Sequence, residues 1–377
     1  MTAPLTRGWC PSAYRPMMSG DGLVVRVKPP SSRITRDQAT GLAELADQFG
    51  NGSVELTSRA NLQLRGVRPE DHDALLAGLL GLSLIDPDAD TDAKRNVIVQ
   101  PFWRIGGLTD RVANRLNEIW QQLPALPAKF GFVVDTGRYP VLRDASADIR
   151  LERVEEGKIL VLADGHSEGL AVEEEDVGET VIRLAHWFAD VRGDDKRMAK
   201  VVAGAMVPER FTDTKRRTEA ANLLLGPSAI GIMVGVPFGA LSSDALGRLA
   251  GGSGVTGFRF APARRMLIEG ASSLSDPDIV LEDTDPILAV EACPGAPLCP
   301  QATVETRDLA RRLAGMTKGN LHVSGCAKGC AHPGSADLTL VGRNGRFDLV
   351  KSGRANDDPL RTSIEAHDVA KTLQDLI

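Results

Sequence analysis

Four of the five cysteines lie close together in the sequence and are the residues best suited to chemistry. They form two pairs within a window of 38 residues: five residues separate Cys293 from Cys299, and three separate Cys326 from Cys330. A cubane iron–sulfur cluster needs one thiolate for each iron, and two pairs on separate loops can reach it from two sides. The spacing therefore predicts a [4Fe–4S] cluster on these four cysteines.

Structural zinc and disulfides are the alternatives for the same residues. Zinc also takes four thiolates, but paired zinc ligands usually stand two to four residues apart, and the gap after Cys293 is wider. An odd number of cysteines and an N-terminal sequence without an apolar signal core indicate a reducing compartment, which disfavours disulfides. The remaining cysteine, Cys10, is predicted to be a buried thiol outside the site.

Basic residues at predicted strand ends form a second candidate group. A charge-assisted hydrogen bond contributes about 1.5–3 kcal/mol, so several arginines converging on one cleft would bind a polycarboxylate. Taken singly, each of these residues is expected to be a solvated surface charge. The candidates are Arg59, Arg65, Arg95, Arg104, Lys129, Arg259, Arg264 and Arg265.

Histidines and one glycine motif give weaker signals. His322 and His332 lie nearest to the cysteines in sequence, and imidazole either binds iron or plays a hydrogen-bonded structural role. His166 and Glu168 have the spacing of a facial triad but stand among turn residues, so we attribute the match to chance. The GxGxxG match at 252–257 follows a predicted helix and leads into a strand, which is the reverse of a dinucleotide fingerprint and indicates a flexible connector.

Length and composition limit the function classes. A chain of 377 residues suits two or three compact units. The net charge of −6 argues against a nucleic-acid binder, whereas an anionic small molecule needs only a local cluster of positive charge. No apolar stretch is long enough to span a bilayer, so we expect a soluble, cytoplasmic protein without a membrane partner.

The pattern of elements occurs twice along the chain. The first set is a strand at 23–28, a helix capped by Thr35 and Gln38, strands at 54–57 and 62–64, and a helix at 70–80. The second is a strand at 230–234, a helix starting at Ser242, and strands at 257–260 and 266–268. We infer an internal duplication, although this order is common enough in α/β proteins to arise by coincidence.

A further α/β layer is predicted between and after these two units. Its elements are helices at 108–123 and 177–188, strands at 130–134, 148–151 and 159–162, and, around the cysteines, a helix at 306–313, a strand at 321–323 and a helix at 365–376. The charged run 193–217 is predicted to be a solvated connector. The strand at 321–323 leads directly to Cys326, which places one cysteine pair at a strand end.

Several segments together resemble the sirohaem-dependent nitrite and sulfite reductases. They are the cysteine pattern, residues 57–63, Arg-Asn-Val at 95–97 and Leu-Pro-Ala-Lys-Phe at 126–130. The resemblance covers nearly the whole chain and implies an α+β fold with two ferredoxin-like half-domains about a pseudo-twofold axis and two mixed α/β cofactor-domain halves. The domains it implies are 1–90, 91–220, 221–284 and 285–377.

The resemblance also implies a set of site residues. The [4Fe–4S] cluster would lie on the four cysteines, and in the reductases the cysteine matching Cys330 also bridges to sirohaem iron. Candidate tetrapyrrole contacts are Arg59, Gln63, Arg95, Lys129 and Arg264, whereas no catalytic residue is assigned. One position departs from the pattern, because Gly131 stands where the reductases have a second lysine. A lost positive charge weakens the binding of a small dianion by about 4 kcal/mol in a partly buried cleft.

The N-terminal residues 8–27 resemble one branch of this superfamily, the precorrin-3B synthases of aerobic cobalamin biosynthesis. That likeness implies a monooxygenase that uses O2 to convert precorrin-3A to precorrin-3B by C20 hydroxylation and γ-lactone formation. It implies electrons from an NADH-linked reductase or a ferredoxin-like protein, and allows a mononuclear non-haem iron without assigned ligands. The alternatives are a sirohaem sulfite or nitrite reductase and a non-catalytic iron–sulfur or tetrapyrrole-binding protein.

Overall fold

The computed structural model describes residues 11–154 and 157–375. Cys10 and the predicted end of the C-terminal helix at Leu376 lie outside these residues. The described chain forms four β-sheets. Two are of the ferredoxin-like half-domain type, and two are mixed sheets that we call cofactor sheets.

The first ferredoxin-like half begins at the N-terminus. Its elements are β1 (Met17–Ser19), β2 (Gly22–Val27), β3 (Arg33–Thr35), α1 (Arg36–Phe49), β4 (Ser53–Leu56), β5 (Leu62–Val67) and α2 (His72–Gly81). The predicted capping box starts α1: Thr35 Oγ1 accepts the Gln38 N–H, and Gln38 Oε1 accepts the Thr35 N–H. The apolar face of α1 is buried at Leu42 and Ala46, as its helical spacing predicts.

The first cofactor sheet comes next along the chain. Its region comprises α3 (Ala89–Lys94), β6 (Val97–Val99), α4 (Leu108–Asn117), β7 (Phe132–Asp135), β8 (Ile149–Arg153), β9 (Ile159–Ala163), β10 (Glu168–Val172), α5 (Val177–Val191), α6 (Met198–Gly204) and β11 (Thr214–Lys215). Strands β6, β7 and β8 are parallel, and β9, β10 and β11 continue the sheet antiparallel. The predicted helix at 108–123 ends at Asn117, before a separate 3-10 turn at Trp120–Gln122.

The second ferredoxin-like half repeats the first. Its elements are β12 (Gly226–Ser228), β13 (Gly231–Gly235), β14 (Ala240–Ser242), α7 (Ser243–Ala250), β15 (Gly257–Ala261) and β16 (Arg265–Glu269). The two sheets have the orders β1-β2-β5-β4-β14 and β12-β13-β16-β15-β3, so each receives its edge strand from the other half. This matching order confirms the internal duplication. Residues of both halves share one hydrophobic core, which contains Leu42, Leu246 and Phe258.

The second cofactor sheet contains the cysteine region. Its elements are β17 (Val290–Ala292), α8 (Arg307–Leu313), β18 (Leu321–Ser324), β19 (Ala336–Arg343), β20 (Arg346–Gly353), β21 (Arg361–Ile364) and α9 (Val369–Gln374). Strands β17, β18 and β19 are parallel, and β20 and β21 are antiparallel, which repeats the plan of the first cofactor sheet. The C-terminal helix begins at Val369, later than predicted. The division into four domains stays a prediction.

The predicted solvated connector at 193–217 is correct only in part. Arg197 Nε lies 2.9 Å from the carboxylate of Asp148, which is fully buried, and Arg216 pairs with buried Glu152. Phe211 is also buried. Arg197 and Arg216 thus face carboxylates beside and on β8, whereas Asp194, Asp195 and Lys196 are exposed.

Among the described residues, no helix is both long and apolar enough to cross a membrane.

Candidate functional site

The two cysteine pairs follow neighbouring parallel strands. Cys293 comes directly after β17, and Cys326 comes two residues after β18. Cys299 and Cys330 lie further along the same two loops. The carboxyl ends of parallel strands meet at one edge of a sheet, so the strand arrangement brings both loops to the same place.

The four thiols influence one another and form no disulfide. Burial raises the pKa of Cys326 and Cys330, and the nearby sulfurs of Cys293 and Cys299 raise both pKa values further. The Gly325 N–H donates to Cys293 Sγ at 3.2 Å, as backbone amides do toward ligand sulfurs. A bound cationic metal centre would stabilise the thiolate forms that burial disfavours.

The chemistry of the donor set, four thiols on two loops, is compatible with a cluster. In the described part of the chain, no three His, Cys, Asp or Glu side chains converge on one metal position. Tetrahedral zinc requires all four sulfurs within about 2.3 Å of one ion. A cubane cluster instead takes each thiolate on a different iron, so its ligands stand further apart.

Tight packing fixes the first cysteine loop. The Thr306 hydroxyl donates to the Cys293 carbonyl. Gly295 has a φ of 71°, and a Cβ there would lie 2.6 Å from Thr306 Oγ1, so only glycine fits this turn. In the second loop, Ser324 Oγ donates to the Cys326 carbonyl at 2.7 Å. Hydrogen bonds to the backbone carbonyls of Cys293 and Cys326 therefore hold the two cysteine loops in place.

The hairpin β1–β2 joins the cysteine region to the first ferredoxin-like half. Ser19 Oγ donates to the Leu298 carbonyl at 3.1 Å. Arg65 Nη2 donates to the same carbonyl at 3.1 Å and also contacts Asp21 Oδ1 at 3.1 Å. Arg65 further pairs with Glu55 at 3.7 Å. Arg65, a predicted anion contact, therefore braces the cysteine loop.

A basic cleft of about 590 Å³ opens beside the same hairpin, at the carboxyl end of β2. Its lining combines β2, the turn between β4 and β5, α3 and the loop before β7. The charged lining residues are Arg15, Arg26, Lys28, Arg59, Asp90, Lys94 and Lys129. Positive charge therefore dominates this lining although the whole chain carries −6, and such a cleft attracts anions.

Neutral acceptors orient several of these cations. Arg59 Nη1 donates to the Lys129 carbonyl at 2.7 Å, and Arg59 Nη2 donates to Ser146 Oγ at 3.1 Å. Lys28 Nζ donates to the Asp92 carbonyl at 2.7 Å, and Lys94 Nζ donates to the Leu123 carbonyl at 3.1 Å. These bonds fix the positions of the charges without adding a negative charge.

The predicted tetrapyrrole contacts separate into two groups. Arg59 and Lys129 line the cleft, and Gln63 accepts from Arg26 Nη2 at 2.7 Å, so it orients a lining residue. Arg95 is absent from the lining, because it turns toward two carboxylates and the Lys28 carbonyl. Arg264 lies by the second cofactor sheet, where it pairs with Glu291 at 3.1 Å and donates to backbone carbonyls.

Of the eight strand-end cations, only Arg59 and Lys129 line the cleft. Arg259 is buried against Glu269 and stacks over Trp103 with its guanidinium carbon 3.9 Å from the ring centroid. Arg265 pairs with Asp283 at 2.6 Å. Buried guanidinium groups need carboxylate partners, so most of these residues are used in ion pairs within the fold.

Sequence reasoning missed four lining cations, Arg26, Lys28, Lys94 and Arg15. One signal was present for the first two. They stand two residues apart in and after a strand, and alternate residues of a strand point to the same face. The third adjoins the Arg-Asn-Val motif that begins at Arg95.

Gly131 lies beside the Arg59 guanidinium. A Cβ at this position would be 3.4 Å from Arg59 Nη1 and 3.4 Å from the Asn96 carbonyl oxygen. The place where the reductases carry a lysine therefore adjoins the Arg59 end of the cleft, and here it has no ammonium group.

The histidines differ in their surroundings. His322 is fully buried on β18, and burial lowers its pKa to about 4. Its ring centroid lies 5.8 Å from that of His332, with the rings in an edge contact. His166 Nδ1 instead bonds to the backbone of Glu168, so this pair forms a local turn.

Comparison with known proteins agrees with this architecture. Residues 15–82 match the nitrite/sulfite reductase ferredoxin-like half domain. A precorrin-3B synthase of Sinorhizobium sp is 30% identical over 95% of this chain and 85% of its own length. A ferredoxin–nitrite reductase of Leptolyngbya laminosa is 24% identical over 90% of this chain and 80% of its own. The structure of the Mycobacterium tuberculosis NirA protein superposes with a TM-score of 0.61 at 15% identity, covering 93% of this chain and 79% of that one.

The duplicated fold and these matches define a protein of the nitrite/sulfite reductase superfamily, a group of oxidoreductases. Within this superfamily, the extent and level of identity with the Sinorhizobium protein show that the chain belongs to the precorrin-3B synthase family.

Proposed function

We propose that this protein is a monooxygenase that converts precorrin-3A to precorrin-3B. The reaction hydroxylates C20 and closes a γ-lactone, and it consumes O2, two electrons and two protons while releasing water. The observation that carries the proposal is the basic cleft at the carboxyl end of β2, a strand of the hairpin whose turn contacts the loop between Cys293 and Cys299. The Sinorhizobium relative supports the choice of substrate, since it is named for the product.

The cleft has the chemistry that a polycarboxylate tetrapyrrole requires. Arginine and lysine side chains form charge-assisted bonds with carboxylates, and arginine does so in a bidentate manner. The hydrogen bonds of Arg59 and Lys28 to carbonyl groups hold these cations in place before the substrate binds. A preorganised cleft loses less side-chain entropy on binding, which favours affinity.

In this proposal, Cys293, Cys299, Cys326 and Cys330 hold a [4Fe–4S] cluster. When bound, the cluster supplies one-electron transfer between an external donor and the substrate cleft. The chain's own residues hold the ligand loops: Thr306 and Ser324 bond the carbonyls of cysteines, and Arg65 braces Leu298. The electron donor would be a ferredoxin-like protein or an NADH-linked reductase.

Sirohaem-dependent reduction of nitrite or sulfite is the second candidate, favoured by the nitrite reductase relatives. Gly131 argues against it, because a small anion such as nitrite or sulfite would lack one lysine beside Arg59. In the first candidate, the tetrapyrrole in the cleft is the substrate, so the cysteine that would bridge to sirohaem, Cys330, binds only its cluster.

The test begins with protein purified without air. We expect an iron–sulfur absorption shoulder without sirohaem bands, and about four irons and four sulfides per chain, as one cubane cluster requires. Precorrin-3A, a reductant and ¹⁸O2 should then give a product with one labelled oxygen in the new hydroxyl group.

Two results would overturn the proposal. Stoichiometric sirohaem with nitrite- or sulfite-dependent oxidation of the reductant would support the reductase. Binding of precorrin-3A without any labelled product, under conditions where the cluster is reduced, would leave a tetrapyrrole-binding role.

A further inference from the structure

His322 is a buried polar side chain whose hydrogen bonds are not made. The residue is 0% exposed, and within the described residues neither ring nitrogen has a partner. An unsatisfied buried polar group destabilises the fold, so a native protein retains one only where another partner or a function accounts for it.

The polar neighbours of His322 on the sheet are bonded elsewhere. Glu291 and Thr339 are its register partners on β17 and β19. The Glu291 carboxylate pairs with Arg264, and Thr339 Oγ1 donates to the Gly353 carbonyl. His332 Nε2 lies 3.2 Å from the Ser335 carbonyl. None of these contacts satisfies the His322 ring.

The ring lies directly under the second cysteine loop. Its Cε1 atom is 3.5 Å from the position of a Cβ on Gly329, the residue before Cys330. Both ring nitrogens are bonded to this carbon, so both are close to the loop. The N–H of Gly325 donates to Cys293 Sγ, so one donor at this sheet edge is already directed to sulfur.

The first cofactor sheet provides an internal comparison. Val97 pairs with Phe132 there as Val290 pairs with Leu321 in the second sheet, so Val133 stands at the position of His322. Val133 is buried in an apolar core. The imidazole of His322 therefore belongs to the second cofactor sheet, where cysteines follow the strands. The first cofactor sheet has the aliphatic Val133 at this position and no cysteines after the matching strands.

We propose that His322 donates a hydrogen bond to a sulfur atom of the iron–sulfur cluster and thereby raises its reduction potential. The inference rests on the proposed function in one respect, that the four cysteines hold a cluster. Hydrogen bonds to cluster sulfurs stabilise the more negative, reduced state and are one of the means by which proteins set the potential. His322 is thus a positioning residue and not a ligand.

The test compares His322→Leu with His322→Gln in anaerobically purified full-length protein. Cluster iron and sulfide are assayed, and the potential is measured by EPR-monitored redox titration. We expect both variants to retain the cluster. Loss of the N–H donor in His322→Leu should lower the equilibrium constant for cluster reduction about tenfold. This corresponds to a reduction potential lower by about 59 mV for one electron. Glutamine keeps a side-chain N–H, so the reduction potential of His322→Gln should stay close to that of the unsubstituted protein.

His332→Leu is the matched control, because the His332 ring nitrogen already has the Ser335 carbonyl as a neighbour. Its cluster should keep the potential of the unsubstituted protein. An equal shift in this control would assign the effect to general polarity and would overturn the inference. Unchanged potential in His322→Leu would overturn it as well.

A measurement on unsubstituted protein covers the case in which the variants do not fold. Pulsed EPR of the reduced cluster, with ¹⁵N-labelled histidine, should detect coupling to one imidazole nitrogen, and no coupling would contradict the hydrogen bond. Loss of an iron additional to the cluster in His322→Leu would make His322 a metal ligand and also overturn it. A cluster with the expected potential shift but no precorrin-3A turnover would refute the proposed reaction alone, whereas unsubstituted protein without any cluster would refute both.

Discussion

The two cofactor sheets have the same strand plan, but the loops at their strand ends carry different residues. In register, Gln100 comes after β6 where Cys293 comes after β17. The Gln100 amide donates to Thr109 Oγ1 at 3.2 Å, and its oxygen accepts the Phe102 N–H at 2.9 Å, so this loop is closed by its own hydrogen bonds. The strands fix where a loop begins, and the loop residues decide whether that place can bind a metal cluster.

The two ferredoxin-like halves differ by a reversal of charge. The central ion pairs at matching positions are Glu55 with Arg65 and Glu269 with Arg259. Arg307 of the second cofactor sheet pairs with Glu55, whereas Arg259 donates to the Pro101 carbonyl beside the first. Each half is thus braced against the opposite cofactor sheet, with acid and base exchanged.

The largest expected effect tests the difference between the cofactor sheets. Replacing Cys326 by Ser removes one iron ligand, and we expect most of the cluster iron and sulfide to be lost together, as measured by chemical assay after anaerobic purification. Cys10→Ser is the control and should keep the full cluster. Full iron and sulfide in Cys326→Ser would remove this residue from the ligand set.

The next effect tests the reversed ion pairs. Arg65→Ala leaves the Glu55 and Asp21 carboxylates without their shared partner, and Glu269→Ala leaves Arg33 and Arg259 without theirs. Breaking one side of a buried pair costs about 3–5 kcal/mol, so Glu269→Ala should lose unfolding free energy of that order in denaturant titration. Arg65→Ala should lose less, because Glu55 keeps Arg307 as a partner.

Cluster retention should separate these two variants. Arg65 also bonds the Leu298 carbonyl in the cysteine loop, so Arg65→Ala should release cluster iron faster under a chelator. Glu269 instead bonds Arg33 and Arg259 on the side of the first cofactor sheet, so Glu269→Ala should leave the release rate unchanged. Equal release from both variants would mean that global stability, and not the Leu298 contact, holds the loop.

Local features of the fold could be predicted from sequence, whereas pairings between distant segments could not. The Thr35 capping box depends on residues three apart, and its spacing fixes the helix start. The exchange of β3 and β14 between halves has no such signal, because an edge strand of three residues pairs with whatever edge the fold presents. The hairpin β19–β20 is a local feature that sequence reasoning missed, although Asn344-Gly345 between its strands is a hairpin signal.

The site shows the same limit. The cysteine spacing pointed to two loops that the fold brings to one sheet edge, and the family motifs pointed to Arg59 and Lys129, which line the cleft. Arg95 belongs to a motif too, yet the nearby Asp86 and Asp92 take its guanidinium. Which carboxylate reaches an arginine depends on packing between elements, and a motif does not encode that.

A pH effect would sharpen the comparison at the ends of β7 and β18. Asp135 ends β7 and accepts the Val141 and Leu142 N–H groups, whereas Ser324 ends β18. Burial raises the pKa of Asp135 from 3.8 to about 6, so its contribution to stability is full below pH 3.8 and is lost as pH rises through about 6.

Asp135→Asn keeps an oxygen acceptor and does not titrate. Between pH 4 and 6, the unfolding free energy of this variant minus that of the unsubstituted protein should rise by up to about 1.4 kcal/mol per pH unit. The matching variant Ser324→Ala should give a difference that does not vary with pH. A flat difference for Asp135→Asn would show that the carboxyl group is already ionised at pH 4.

The smallest effect compares two arginines in matching turns, Arg59 after β4 and Arg264 after β15. Arg59 lines the cleft, so Arg59→Ala should weaken anaerobic precorrin-3A binding about tenfold, as expected for the loss of one charge-assisted bond of about 1.5 kcal/mol. Arg264 is held by Glu291 outside the cleft, so Arg264→Ala should leave this affinity unchanged while lowering the unfolding free energy.

Titration monitored by tetrapyrrole absorption measures the dissociation constants of both variants for precorrin-3A. Repeating the titration at higher salt tests whether charge accounts for the effect. Coulombic attraction between cations and carboxylates weakens as ionic strength rises. The tenfold difference in precorrin-3A affinity between Arg59→Ala and the unsubstituted protein should therefore become smaller at high salt. If salt does not change this difference in affinity, the role of Arg59 is to hold the loop in shape through its hydrogen bond to the Lys129 carbonyl. Weaker binding in Arg264→Ala and not in Arg59→Ala would place the tetrapyrrole site in the second half of the molecule, near Arg264.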